Sequence, residues 1–153
     1  MKVAVQREDF DLGREVKALS RDPKVGAVAS FVGVVREVPM TLEHYAGMTE
    51  REIAKIVGEA QARWQVMDCT VIHRFGELRP TDQIVLVAVA SAHRADAFAA
   101  CEFIMDYLKT RAPFWKKERR AGAAEWVEAK ASDDAAAERW TAKAKKPRAK
   151  GTG

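Results

Sequence analysis

Apolar residues recur along this chain in two rhythms, every second position or every third to fourth, and the switches between them predict its elements. Residues 2–6 (KVAVQ) alternate and predict a short strand. Over 9–19, Phe10, Leu12, Val16 and Leu19 fall at roughly helical spacing, and Arg21-Asp22-Pro23 ends the run. Residues 25–35 (VGAVASFVGVV) are rich in β-branched and small side chains and predict a long strand. Its Gly26 and Gly33 suggest a bulge or a close backbone approach. After a turn at Glu37-Val38-Pro39, residues 41–45 (TLEHY) alternate as the returning strand. Thr49 followed three positions later by Glu52 has the form of a capping box. It precedes a helix with Ile53, Ile56, Val57 and Ala60 on one face.

Residues 69–75 predict a strand and 76–80 a connection. Residues 83–91 (QIVLVAVAS) are almost continuously apolar, as in a strand covered on both faces. The clearest helix spans 93–109, where Phe98, Cys101, Met105 and Leu108, widened by Ile104, form the buried face. Ser91 is its expected N-cap, and Pro113 ends it by pushing Ala112 out of the α region. Short strands at 114–118 and 125–129 around a turn at Ala121-Gly122, then a helix capped by Ser132 and ending at Trp140, complete the order. The expected fold is α+β (mixed α/β), one domain over residues 1–140 followed by a basic, disordered tail over 141–153.

Composition refines this picture. The 153 residues are 48% hydrophobic and 31% charged, the balance of a folded globular chain. No apolar run approaches the ~20 residues of a membrane helix. The N-terminus lacks the form of a secretory leader, so a cytoplasmic location is expected. The net charge of +4 belongs to the tail, where Lys143, Lys145, Lys146, Arg148 and Lys150 stand without an acid. The remaining body holds 21 basic against 22 acidic residues, which argues against a nucleic-acid footprint over the whole surface. Cys69 and Cys101 form no CxxC and lie in apolar segments, as small buried hydrophobes do. His44, His73 and His93 have no metal-like spacing, so no metal site is expected. His44 and His73, inside strands, read as hydrogen-bonded structural residues.

Candidate chemistry lies in basic residues at element ends. Arg36 ends the second strand, His93 and Arg94 open the main helix, Lys109 lies in its last turn, and Lys116 and Lys117 follow Pro113-Phe114-Trp115. Free amides at a helix N-terminus make 91–94 a place for a phosphate or carboxylate, and arginine adds a bidentate fork. Plainer readings exist for each. Lys109 complements the helix dipole, Arg36 and Arg94 can be solvated ends, and 116–120 (KKERR) can be the charged edge of an exposed hairpin.

Six ordered segments carry a resemblance: GAVASFVGVVR, TLEHYAGMTE, VIHRFGEL, SAHRADAF, FIMDYLKTRAPFWKKE and WVEAKASD. From about Gly26 to Trp140 the chain closely resembles the large, catalytic subunit of molybdopterin synthase, the MoaE family. The resemblance implies an α/β hammerhead fold with an additional small antiparallel β-sheet. It implies a homodimer of large subunits within a heterotetramer, with a MoaD-like small subunit docked at each end. That ubiquitin-like partner carries a C-terminal Gly-Gly thiocarboxylate, and two such sulfurs convert cyclic pyranopterin monophosphate (precursor Z) into the molybdopterin dithiolene. No resident cofactor is implied, because the small subunit donates the sulfur. By motif, Val34, Val35 and Arg36 match the first substrate-binding segment, and His93 and Arg94 the second. Lys109 matches the lysine beside the thiocarboxylate, and Lys116, Lys117 and Glu118 the last segment of the pocket. Lys109 is implied as the main catalytic residue, with Lys116 assisting. A fixed ammonium can stabilise the negative charge that sulfur transfer develops.

Two departures stand out. Only four residues separate Arg36 from Thr41, where the family often carries a longer polar loop, and Lys130 stands where an arginine is frequent. Two other readings compete. A nucleic-acid module driven by the tail predicts affinity falling steeply with salt. A non-catalytic adaptor predicts binding of a ubiquitin-like partner without turnover.

Overall fold

A computed structural model describes residues 1–120, 123–127 and 131–143, with side chains through Lys116 and over 133–141. Two four-stranded sheets carry the chain. The first has the order β1 (Lys2–Gln6), β4 (Asp68–Arg74), β6 (Gln83–Ser91), β2 (Ala27–Val34). β1 runs parallel to β4, and the other pairs are antiparallel. The second sheet is wholly antiparallel, in the order β5 (Gly76–Leu78), β3 (Met40–His44), β7 (Phe114–Arg120), β8 (Ala123–Val127).

The apolar run of β6 is explained by its two covered faces. Val85, Val87 and Val89 enter one core with Ile53, Ile56 and Val57 of α2 (Met48–Arg63) and Phe103, Ile104 and Leu108 of α3 (Arg94–Arg111). The alternate residues Leu86, Ala88 and Ala90 enter a second core with Phe10 and with Leu19 of α1 (Leu12–Leu19). A smaller cluster of Val35, Leu42 and Leu78 joins the two sheets. α4 (Ala131–Lys143) packs on α3.

The glycines of β2 serve close approach. A Cβ on Gly26 would lie 2.2 Å from the Ala92 carbonyl oxygen, and one on Gly33 2.8 Å from a Val85 methyl, next to the register shift at Gly33/Val34. α3 stops at Arg111, with Ala112 extended before Pro113.

Several expectations are corrected. The capping box is displaced: Gly47, at φ 81°, precedes α2, and its N–H donates to Glu50 Oε2 at 2.6 Å. Thr49 is instead fully buried with its hydroxyl on the Tyr45 carbonyl, and Glu52 pairs with Arg111. Part of the connection at 76–80 is strand β5, paired with β3. His93, not Ser91, occupies the N-cap of α3, because the Ser91 hydroxyl is drawn away to the Gln65 carbonyl at 2.6 Å. Phe98 is 65% exposed, since small Ala97 and Ala100 occupy the helix face against the sheet. The last helix begins at Ala131 and runs past Trp140 to Lys143, so Ser132 lies inside it. β7 is an interior strand between β3 and β8, so 116–120 is no sheet edge. The turn at Ala121-Gly122, Lys130 and the tail from 144 lie outside the described residues.

Candidate functional site

The long helix decides which cations can meet. α3 leaves β6 at Ser91, where β6 pairs with Ala27 at the start of β2. It then runs back along the sheet. Cys101 Sγ reaches the Val87 carbonyl halfway along β6, and Lys109 lies within electrostatic reach of His73, which pairs with Val85. Arg94 and Lys109, fifteen residues apart on a helix rising about 1.5 Å per residue, are thus separated by about 22 Å.

Arg36 belongs to the Lys109 end. The Val35 N–H donates to the Asp82 carbonyl at 2.9 Å, just before β6, and Thr81 N–H returns to the Val35 carbonyl at 2.9 Å. Val35 is buried and Val34 exposed. The short turn then closes tightly, Val38 N–H reaching the Arg36 carbonyl at 2.7 Å with Glu37 at φ 67°. Arg36 is exposed, and its guanidinium makes no ion pair with a described side chain.

Lys116 reaches the same end through the second sheet. It stands opposite Leu42, and Phe114 opposite His44. Alternation along a strand puts Phe114 and Lys116 on one face, about 7 Å apart. Phe114 stacks flat on His73, with centroids 3.7 Å apart and planes at 18°. Leu42 packs against Val35, the neighbour of Arg36. Arg36, Lys109 and Lys116 therefore share one end of the protomer, while His93 and Arg94 lie exposed at the other. Lys117 and Glu118 continue β7 opposite Thr41 and Met40.

Two histidines frame this end. His73 is buried, and its Nδ1 lies 2.8 Å from the Arg74 carbonyl. A carbonyl only accepts, so Nδ1 carries the proton. Burial, with Lys109 and His44 nearby, pushes the His73 pKa down to about 4, against the opposing pull of that carbonyl. His44 packs on Phe75 at 4.4 Å and on Phe114 at 5.9 Å, with Nδ1 3.2 Å from the Thr49 hydroxyl. Both are hydrogen-bonded residues of strands, as expected. An unfolded His73 takes up a proton near pH 6.5 while the folded one does so only near pH 4. Stability is therefore full above about pH 6.5 and falls as the pH drops towards about 4. Thermal melts across this window should show the decline, reduced in His73→Phe.

The cysteines are buried, and burial pushes each thiol up to about 12, so neither supplies a thiolate near neutral pH. Arg111, two residues beyond Lys109, was not singled out from the sequence. It ties the end of α3 to α2 through Glu52 at 2.7 Å and Glu59 at 2.5 Å. No local pattern could have revealed that pairing, whose partners stand more than fifty positions away.

The model of the family described as MoaE protein matches residues 5–111. The chain belongs to the MoaE family. It is 58% identical over 146 residues to the molybdopterin synthase catalytic subunit of Ralstonia nicotianae, covering 90% of this chain and 83% of that protein. Identity to the protein of the same name from Escherichia coli K12 is 51% over 146 residues, covering 91% and 97%. Among solved structures, molybdopterin cofactor biosynthesis protein E from Burkholderia multivorans matches with TM-score 0.81 and 57% identity, over 92% of this chain and 96% of that one. Molybdopterin synthase from Staphylococcus aureus matches with TM-score 0.75 and 32% identity, over 80% and 94%. The mixed two-sheet fold is thus the MoaE fold. No helix among the described residues is long and apolar enough to cross a membrane.

Proposed function

We infer that this MoaE-family chain is the catalytic subunit of a molybdopterin synthase, an enzyme of molybdenum cofactor biosynthesis that transfers sulfur to a pterin. The donor is the thiocarboxylated Gly-Gly terminus of a MoaD-like small subunit, and the acceptor is cyclic pyranopterin monophosphate. The observation that carries this reading is the convergence of Arg36, Lys109 and Lys116 on one end of the protomer. Three cations there suit a phosphorylated substrate and a carboxyl-derived donor. The thiocarboxylate sulfur attacks a side-chain carbon of the pterin, forming a C–S bond as a C–O bond at that carbon breaks and its oxygen leaves with a proton. Water then cleaves the acyl–sulfur bond, leaving sulfur on the pterin and a carboxylate on the small subunit, and a second thiocarboxylated terminus repeats both steps at the neighbouring carbon to complete the dithiolene. Both steps develop negative charge, which Lys109, assisted by Lys116, stabilises. Arg36 and the exposed Val34 border the substrate, and Lys117 and Glu118 are the further binding residues of this reading, on the same strand as Lys116.

His93 and Arg94 cannot join these lysines within one protomer, because α3 holds them about 22 Å away. They enter the pocket from a second copy. β2 is an edge strand with Phe31 41% and Val34 49% exposed, and Phe98 lies 65% exposed one turn into α3. Such apolar exposure fits a contact between copies. A two-fold axis exchanging the α3 N-termini makes two equivalent pockets. The full assembly is then a heterotetramer, located in the cytoplasm.

The chain needs no resident cofactor or metal in this reading, because the sulfur arrives on the partner's tail. The high thiol pKa values support that division. Cys69→Ser/Cys101→Ser should retain synthase activity if it stays folded, and loss of activity in the folded variant would show that a cysteine carries sulfur. The function itself is tested by mixing purified protein, thiocarboxylated small subunit and cyclic pyranopterin monophosphate, then detecting molybdopterin as its fluorescent oxidised derivative. Partner binding without product would favour the adaptor reading instead.

A further inference from the structure

The segment between Lys109 and Lys116 leaves a helix and enters a different sheet, so the spacing of the two ammonium groups depends on what holds it. Arg111 is held by α2. Beyond it, Ala112 is extended and the Phe114 N–H closes on the Ala112 carbonyl at 2.8 Å. Ala112 and Phe114 both pack on the main core, and the Phe114 ring lies flat against His73. His73 is a rigid anchor. Its strand is paired on both sides, the residue is only 9% exposed, and its Nδ1–H is tied to the Arg74 carbonyl.

We propose that His73 is a positioning residue for sulfur transfer: its ring, stacked on Phe114, fixes where β7 leaves α3 and so the separation of Lys109 from Lys116. The inference rests on the reading that these lysines act on the substrate. An uncharged ring suits the place, since a third cation beside Lys109 would repel it, and burial keeps His73 neutral at working pH. His44 packs against the same ring, with centroids 5.9 Å apart. Sub-ångström placement of charge matters in such a pocket, where small displacements are costly in rate.

The test is a double-mutant cycle on the reconstituted complex of the full chain, thiocarboxylated small subunit and cyclic pyranopterin monophosphate. His73→Leu and Phe114→Leu should each lower kcat about 10- to 100-fold, with KM for the pterin changed less than about twofold. The double variant should fall no further than either single one, because both break the same contact. His73→Phe restores a flat ring and should bring kcat back to within about threefold of the unsubstituted protein. If His73→Leu does not fold, Phe114→Leu against Phe114→Tyr decides, with loss expected only in the former. Unchanged kcat, a rise in KM alone, additive losses, or no recovery in His73→Phe would each overturn the proposal. Lys109→Ala separates the failures. If it stays active, the reading of the lysines falls. If it is inactive while the folded His73 variants are fully active, only the positioning role falls.

Discussion

Replacing Lys109 with alanine should lower the rate of molybdopterin formation by about 100- to 1,000-fold, the usual loss when one fixed donor to a developing negative charge is removed. The fold should survive. Lys109 is exposed in the last turn of α3, and its interaction with the helix dipole contributes only about 0.3–1 kcal/mol. A melting temperature close to that of the unsubstituted protein, together with unchanged affinity for the small subunit, would assign the loss to chemistry. Lys109→Arg keeps the charge but spreads it over a planar fork, and should recover only part of the rate. A near-normal yield from Lys109→Ala would remove Lys109 from the mechanism.

The largest effect on stability is expected at Trp140. Its ring is 3% exposed and meets Trp64 and Phe103 edge-on, at 5.4 and 5.6 Å. Its Nε1–H donates to Asp106 at 2.5 Å, and its carbonyl accepts from Arg63 at 3.2 Å. Beside it, Arg139 pairs with Glu102 at 2.6 Å and Asp106 at 2.9 Å, but those exposed pairs contribute little. Trp140→Ala should therefore cost about 3–5 kcal/mol, lowering the melting temperature by roughly 10–15 °C in a chain of this size. Trp140→Phe keeps most of the packing but loses the donor, and should cost about 1–2 kcal/mol. A shift under 2 °C for Trp140→Ala, measured by calorimetry, would mean that α4 contributes little to the fold.

Elements whose cause is local were readable from the sequence. β6 was legible because an unbroken apolar run of strand length needs two covered faces. The end of α3 was legible because Pro113 dictates it, and Gly26 suggested a bulge or a close backbone approach, which the fold makes to Ala92. What depended on distant partners was not. β5 is three residues long and exists through pairing with β3. Phe98 looked like core because it falls at helical spacing with Cys101, Met105 and Leu108, whereas that turn of the helix approaches the sheet through its alanines. Gly47, through its positive φ, moved the start of α2 ahead of the Thr49–Glu52 pattern. At the candidate site, the basic residues at element ends were visible from the start. Their division between two ends was not drawn from the sequence and follows from the unbroken length of α3, whose sixteen positions from His93 to Lys109 span about 24 Å. The roles of His73 and Phe114 were not visible, because their stacking joins two sheets that only the tertiary fold brings together.

The central claim is that each pocket combines Arg36, Lys109 and Lys116 of one copy with His93 and Arg94 of another. Its most direct test mixes two inactive variants, Arg94→Ala and Lys109→Ala, after unfolding and refolding together in equal amounts. Half the resulting dimers carry one of each, with one pocket doubly altered and the other intact, so activity should return to about a quarter of the unsubstituted level. If the mixture stays as inactive as the separate variants while mixed dimers are shown to form, the two groups of cations do not share a pocket across copies.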